Sequence, residues 1–369
     1  MDVASLRAEF PVLRHRAYLN AGTCGPLPTA AVEAAREELE REGAEGRSGQ
    51  AHFRHRFELA GAVRAAYADR LGCPPGDVGL TTSTSEGVAL ALLGLELGPG
   101  DEILTSDSEH PGLIGPLQAA RDVRGASVRA VPLARIPDAV GPRTRLVACS
   151  HVSWLTGEMA PASLGELDVP VVLDGAQGVG AVAVDVGELG CAAYAGSGQK
   201  WLCGPEATGM LYVAPHRRDE LRAVLRSYVS YADVAAGMDA ELHPDARRYD
   251  APAVPASALA GALAAFEVLD AAGWDALYER ARNLAGTLAD ALRERGHPVA
   301  PRGDTTLVAW SAEDAEAEAA RLAEAGVVIR FLPGRGLLRA SVGAWNDESD
   351  LERLLEALEA APRGRELPG

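Results

Sequence analysis

One lysine, Lys200, stands among the 35 basic residues of this chain, and every other one is an arginine. A guanidinium keeps its proton, whereas a buried ammonium can lose it and act as an amine nucleophile or base. A lone lysine in such a chain marks a task that arginine cannot perform. It closes the run Ala195-Gly-Ser-Gly-Gln-Lys200-Trp201, in which Ser197 and the flanking glycines suit an anion held by a hydroxyl and backbone N–H groups. The run is not a nucleotide loop, because Trp201 stands where Ser or Thr belongs. Nor is Gly175-Ala-Gln-Gly178-Val-Gly180 a dinucleotide fingerprint, since its glycine spacing is wrong and it follows a late strand. Val171-Val-Leu-Asp174-Gly-Ala-Gln177 sets an acid just past an apolar strand, where open α/β sheets bind ligands. That carboxylate either caps a helix or keeps a ring nitrogen protonated, which turns the ring into an electron sink. Thr84 and Ser85, in Leu80-Thr-Thr-Ser-Thr84-Ser85-Glu-Gly87, fall where a strand runs into a helix. They belong either to a capping box or to a phosphate seat at the helix N-terminus.

The elements that must hold these groups follow from periodicity. The chain has 369 residues, 47% hydrophobic and 24% charged, which is enough for two domains around a large core. Strand-like runs at Val78–Thr82, Glu102–Ser106, Ser127–Pro132, Arg145–Ser150, Val169–Asp174, Ala192–Ser197 and Gly209–Val213 alternate with helical stretches at Glu86–Leu97 and Leu117–Val123. Such alternation predicts an α/β fold with a large, mostly parallel sheet covered on both faces. After Pro215 comes an irregular stretch, Leu221–Ala236, then a proline-containing run, His243–Pro255, and two helices, Ser257–Ala271 and Trp274–Arg295. Thr305–Trp310, Glu313–Ala325, Val327–Phe331, Leu337–Val342 and Ser349–Ala360 then alternate strand and helix, predicting a smaller C-terminal α+β domain. The expected division is 1–20 as an N-terminal segment packing on the small domain, 21–250 as the large domain and 251–369 as the small one.

Composition removes several classes of function. A formal net charge of −17 gains nothing from counterion release and argues against nucleic acid as a partner. The five cysteines, Cys24, Cys73, Cys149, Cys191 and Cys203, form no C-x-x-C pair. Neither a disulfide framework nor a metal site is expected, and a reducing cytoplasm is. The N-terminus lacks the pattern of a signal peptide, and no apolar run approaches the roughly 18 residues of a membrane span, so no membrane partner is expected. His52 and His55 form H-x-x-H without an accompanying acid and read as surface helix residues.

Thr82-Ser-Thr-Ser-Glu86, Ser108-Glu-His110, Ser150-His-Val-Ser-Trp154, Asp174-Gly-Ala-Gln177, Ser197-Gly-Gln-Lys200-Trp and Leu338-Arg-Ala-Ser341 with Trp345-Asn follow one another in an order and spacing that resembles the class V aminotransferase family. That family includes cysteine desulfurases, selenocysteine lyases and isopenicillin N epimerase-like proteins of the pyridoxal 5′-phosphate (PLP) fold type I. The resemblance runs from Tyr18-Leu-Asn-Ala-Gly to the last helix. It implies that Lys200 carries the cofactor and later moves the Cα proton, that Asp174 pairs with the pyridine nitrogen, and that Gln177 hydrogen-bonds the phenolic oxygen. By the same likeness His110 stacks on the ring, Thr84, Ser85 and Ser197 hold the phosphate, and Trp154 and Gln199 border the cofactor. Arg339 becomes a bidentate clamp on the substrate carboxylate; the alternative for it is an ion pair between domains. A homodimer is implied as well.

The departures from the family narrow the reaction. Desulfurases carry a sulfur-accepting cysteine on a loop before the clamp arginine, and Val328-Ile-Arg-Phe-Leu-Pro-Gly-Arg-Gly-Leu-Leu-Arg339 has none. They also have a histidine before the lysine, where Gln199 stands here. Trp154 replaces a usual asparagine, and Pro252 stands where a threonine often reaches the partner's phosphate. The expectation is a C–S lyase that works by β-elimination on an amino acid without a loop cysteine. Epimerisation or transamination is the alternative, and a non-catalytic PLP-fold binding protein the remote one. Arg335 is read as a second cation for a distal carboxylate or as a solvated side chain. Cys24 is read as a small buried cysteine or as a substitute nucleophile.

Overall fold

The computed structural model describes residues 2–360. Seven strands form the large sheet, in the order Val78–Thr81, Gly209–Val213, Ala193–Ser197, Val171–Asp174, Thr144–Ser150, Glu102–Ser106 and Ser127–Val131. Only Gly209–Val213 runs antiparallel to its neighbours. The central strands are continuous apolar runs because both faces are buried, and their residues alternate between two cores. Leu104, Val147, Cys149, Val171, Leu173 and Tyr194 face one core. Ile103, Leu146, Ala148, Val172, Ala193 and Ala195 face the other, under helices Thr84–Gly94 and Pro111–Arg124.

A second sheet of three antiparallel strands places Leu337–Ser341 between Arg330–Leu332 and Leu307–Ser311. The apolar faces of Trp274–Glu294, Ala315–Glu324 and Glu348–Glu359 cover it. The expected strand Val327–Phe331 is two pieces. Val327–Val328 pairs in parallel with Ala17–Tyr18, and Arg330–Leu332 turns to pair with Leu337–Ser341, so one apolar run serves two partners. Helix Ala256–Ala272 packs on Thr29–Glu45 and Gly49–Leu71, and its Leu259, Phe266 and Leu269 join the core of the large sheet. Residues 361–369 of the expected small domain, and Met1, lie outside the described residues.

Several helix bounds differ from expectation for local reasons. Thr84–Gly94 begins before Glu86 because Ser83 caps it, its Oγ accepting the Glu86 N–H at 3.1 Å. Pro111–Arg124 begins before Leu117 because Pro111 suits the first turn and His110 Nδ1 accepts the Gly112 N–H at 2.9 Å. Thr29–Glu45 was not expected as a helix, and of Gly49–Leu71 only His52 and His55 were read as helical. The first buries only Ala31 and Glu38, so it carries little apolar periodicity. No single helix among the described residues is long and apolar enough to cross a membrane.

A buried ion pair joins Gly49–Leu71 to the sheet edge. Arg64 Nη1 and Nη2 donate to Asp250 at 3.0 and 2.7 Å, and the Leu80 N–H donates to the same carboxylate at 2.8 Å. Asp250→Ala leaves a buried guanidinium and a strand N–H unpaired, and is expected to cost about 3–5 kcal/mol in urea unfolding. A loss below about 1 kcal/mol would class the pair with exposed ones.

Candidate active site

Four neighbouring strands end at one edge of the large sheet in Ser106, Ser150, Asp174 and Ser197. The chain reverses there into turns, and those turns carry most of the residues singled out by sequence. Asp174 is 5% exposed, and its Oδ1 accepts the Ala176 N–H at 2.9 Å. Burial raises its proton affinity and Lys200 opposes the rise. Ser197, 2% exposed, ends the next strand with its main chain paired to Gly209. Lys200 lies in the turn beyond. Its ammonium is pushed down to about 8, chiefly by burial, with Asp174 resisting and Arg339 and Arg330 reinforcing the fall.

The helix start at Ser83 separates the two readings of its motif. Ser83 and Glu86 do the capping: the Glu86 carboxylate accepts the Thr82 N–H and Oγ1 at 2.5 and 2.6 Å. Thr84 is left with a buried Oγ1 that has no hydrogen-bond partner. Thr84 and Ser85 thus occupy the first positions of an anion-favouring helix terminus without being consumed by the cap.

His110 and Trp154 meet edge to face, with ring centroids 4.9 Å apart at 86°. Trp154 Nε1 donates to Ser108 O at 3.0 Å, which fixes the corner. Because His110 Nδ1 accepts a hydrogen bond, its proton sits on Nε2. Burial first, then Lys200, Arg330 and Arg339, push the imidazole down to about 4, so it is neutral. Gln177 Nε2 donates to Gly22 O at 2.7 Å and its Oε1 accepts from Trp201 Nε1 at 3.0 Å, leaving one amide N–H. Gln199 Oε1 is buried without a partner.

Arg339 is 1% exposed. Its Nη1 donates to Trp154 O at 2.6 Å, while Nε and Nη2 have no partner. No acid pairs with it among the described residues, which removes the reading as a domain-interface ion pair. Burial and then Arg330 push the guanidinium down to about 9. Arg335, the expected second cation, is exposed on the hairpin turn. The second cation is Arg330, the register partner of Arg339, with its Nη1 on Thr23 Oγ1 at 3.2 Å. The turn Pro333-Gly-Arg-Gly336 was the signal that could have found it, since opposed residues of a hairpin share a face.

The N-terminal strap closes the arrangement. The Ser341 N–H donates to Leu19 O at 2.7 Å, and the Gly25 N–H to Gln199 O at 2.8 Å. A Cβ on Gly22 would lie 2.8 Å from Gln177 Oε1 and Ser341 Oγ and 3.0 Å from Arg339 Nη2. Cys24, half-buried, shares an electrostatic neighbourhood with Lys200 and Arg330; burial raises its thiol and these cations oppose the rise.

The aminotransferase class-V profile matches residues 17–354. The chain belongs to the aminotransferase class-V family. Isopenicillin N epimerase of Streptomyces clavuligerus is 33% identical over 55% of this chain, and the match spans about half of that relative, 54%. Cysteine desulfurase CsdA of Escherichia coli is 28% identical over 97% of both chains. A solved structure of C-DES with glycine covalently linked to its PLP cofactor covers 95% of this chain and 98% of its own, at 27% identity and a TM-score of 0.90. C-DES, described as a cystine C–S lyase in its complex with cysteine persulfide, gives 28% and 0.89 over the same shares. The family's α/β fold, with its large mostly parallel sheet, is the fold seen here.

A cavity of about 740 Å³ lies away from these residues, between Phe57, Leu80, Tyr228 and Val254. Four of its charged groups are paired with one another, Arg64 with Asp250 and Arg247 with Asp245, so it lacks the unpaired polar atoms of the strand-end site.

As the only lysine, Lys200 permits a clean titration. Trinitrobenzenesulfonate labelling of the cofactor-free protein, with Lys200→Arg as the blank, is expected to show a midpoint near pH 8. A midpoint near the ordinary lysine value of about 10.4 would contradict the burial described.

Proposed function

We propose that the chain is a PLP-dependent enzyme that cleaves the Cβ–S bond of a cysteine-like amino acid by β-elimination. The observation that carries this is Arg339, a buried guanidinium with two unpaired nitrogens and no acid, set beside the sole lysine and a buried aspartate. Such a group calls for a carboxylate delivered from outside.

The residues fit the cofactor. Lys200 would carry it, Asp174 would hold a proton at the ring nitrogen, and the free amide N–H of Gln177 would meet the phenolic oxygen. Thr84 Oγ1, Ser85 and Ser197 with the helix terminus would take the phosphate, and His110, Trp154 and Gln199 would border the ring. When bound, the cofactor withdraws the electron pair that Cα deprotonation leaves behind.

The chain's own residues supply the rest. Arg339 orients the α-carboxylate and so fixes which Cα bond faces Lys200. With a proton affinity near 8, Lys200 takes the Cα proton close to neutral pH. His110, neutral, adds no positive charge to compete with that step. The thiolate departs from Cβ, and hydrolysis yields pyruvate and ammonia. No protein thiol is needed, in keeping with the run Phe331 to Leu338, which contains no cysteine. Arg330, opposite Arg339, suits a substrate with a second acidic group. Cα epimerisation or transamination with the same residues is the second reading, favoured by the likeness to isopenicillin N epimerase.

We place the reaction in a homodimer in a reducing cytoplasm, with residues 21–250 as the cofactor domain, 251–369 as the small domain and 1–20 as the segment on it. Exposed Phe53, Phe57, Tyr228 and Val234 near the large cavity support the dimer, and five free cysteines the compartment. Sedimentation that gives an active monomer would overturn the first.

The purified protein is expected to be yellow with PLP and to release pyruvate and sulfide from cysteine-like amino acids, while Lys200→Arg releases neither. Racemisation without pyruvate would favour the second reading. A sulfur release abolished by Cys24→Ser with PLP still bound would make Cys24 a sulfur acceptor.

Arg330→Ala is expected to raise KM about tenfold for diacidic substrates and little for monoacidic ones, with kcat nearly unchanged, as lost uniform binding requires. An equal effect on both classes would remove the second-acid assignment.

A further inference from the structure

Glu109 is a buried acid for which the proposed reaction has no use. It is 3% exposed, and three donors reach it. Ser106 Oγ at 2.5 Å and the Ser150 N–H at 3.0 Å donate to Oε1, and Ser150 Oγ at 2.5 Å donates to Oε2. The Ser150 N–H can only donate, and with the two hydroxyls it favours the carboxylate form against the burial that opposes it. No lysine, arginine or histidine pairs with it among the described residues.

Its place in the sheet gives this charge a target. Ser106 and Ser150 end neighbouring strands, and Ser150 is the register partner of Asp174. Glu109 therefore ties two strand ends together one strand away from the aspartate of the candidate site. Burial raises the proton affinity of Glu109, the three hydrogen bonds lower it, and the Asp174 charge adds to the rise, so the two acids lie close enough to interact. The other titratable groups around it are His110, next in the chain, Cys149 and His151 beside Ser150, and Lys200 beyond Asp174. Both histidines are pushed down to about 4 by burial, so neither neutralises it near neutral pH.

The same carboxylate fixes a turn. Ser106 Oγ, held by Glu109, accepts the Ser108 N–H at 3.4 Å, and Ser108 O accepts from Trp154 Nε1 at 3.0 Å. His110 leaves this turn to meet Trp154.

We propose that Glu109 is a positioning residue of the cofactor site, whose buried negative charge sets the field at Asp174 and whose hydrogen bonds fix the turn presenting His110. The inference rests on the PLP reading above. A negative charge this close to the strand ends favours protons on the ring nitrogen facing Asp174 and on the nitrogen of Lys200. Removing it lowers both affinities. A strand-end staple without electrostatic reach would make the same hydrogen bonds and lack this effect.

Glu109→Gln and Glu109→Asp separate the two. The first removes the charge and keeps the shape; the second keeps the charge and disturbs the shape. The readouts are the pH midpoint of the visible absorbance band of the PLP-loaded protein and PLP affinity by fluorescence quenching. Glu109→Gln is expected to lower the midpoint by about half a pH unit and to weaken PLP severalfold. Glu109→Asp is expected to hold the midpoint while losing as much thermal stability. Equal shifts in both variants, or stability loss in both with no shift, would leave a staple and overturn the proposal. If Glu109→Gln does not fold, Ser150→Ala withdraws one donor and keeps the charge, so the midpoint should not fall while thermal stability does; a midpoint lowered as stability is lost would tie the shift to the hydrogen bonds and overturn the proposal. A wild-type protein that stays colourless with PLP removes both this proposal and the function it rests on, whereas a yellow wild type with an unmoved variant removes this proposal alone.

Discussion

A guanidinium buried to 1% exposure, with two nitrogens unpaired and no acid paired with it among the described residues, is the constraint around which this site is arranged. Holding an ion in the interior costs several kcal/mol unless an opposite charge joins it. Arg330 stands across the hairpin and worsens the imbalance. The remaining groups respond by shedding positive charge. Lys200 is pushed down to about 8 and His110 to about 4, each with these arginines among the causes. What pulls the histidine out of the charged range also poises the lysine as a base near neutral pH. Burial is the larger cause of both shifts, and the uncompensated cation pair adds to it while making the pocket receptive to anions.

The fold can hold such charges because they lie where regular hydrogen bonding stops. Parallel strands leave their carboxyl ends on one edge, and the side chains there face turns instead of a neighbouring layer. Asp174, Ser197 and the Ser106–Glu109–Ser150 cluster come from adjacent strands of the large sheet. The arginines come from the small sheet, and the strap of residues 17–25 spans the seam. Gly22 lies where Gln177, Ser341 and Arg339 converge, and a side chain there would meet all three within about 3 Å.

What the sequence disclosed divides along the same line. Asp174, Ser197 and Lys200 were legible because each comes directly after an apolar strand, and the strand and its chemistry occupy a single short window. Apart from the helices starting at Thr84 and Pro111 and the divided strand after Val327, the expected elements from Val78 onward lie within two residues of their observed bounds. Thr29–Glu45 was invisible because a helix that buries so little apolar surface leaves no period to read. Arg330 was missed for a different reason: its place depends on hairpin register, and Arg335, at the centre of the Pro-Gly-Arg-Gly turn, drew the eye while lying outside in space. Thr84 and Ser83 were merged into one motif, and only the hydrogen bonds tell which hydroxyl caps and which stays free.

The local windows and the long-range ones also carry different parts of the function. Asp174, Gln177 and Lys200 sit on the large sheet and would serve any Cα deprotonation, so they leave the fate of the deprotonated substrate open. On the proposed reading the outcome depends on what leaves from Cβ and on how the rest of the substrate is held, and the unpaired groups free to hold it come from the hairpin beside the strap. There Thr23, itself donating to Asn20 Oδ1 at 2.7 Å, aims Arg330, while Gly22 makes room for Arg339. Arg330 and Arg339 also reach Lys200 electrostatically, so this handshake between strap and hairpin is coupled to the base beneath it. Members of one family can share strand-end residues and still differ in reaction. The proposed reading therefore puts the specificity of this chain in the hairpin from Arg330 to Arg339 and in the strap that crosses it, where no short motif announces it.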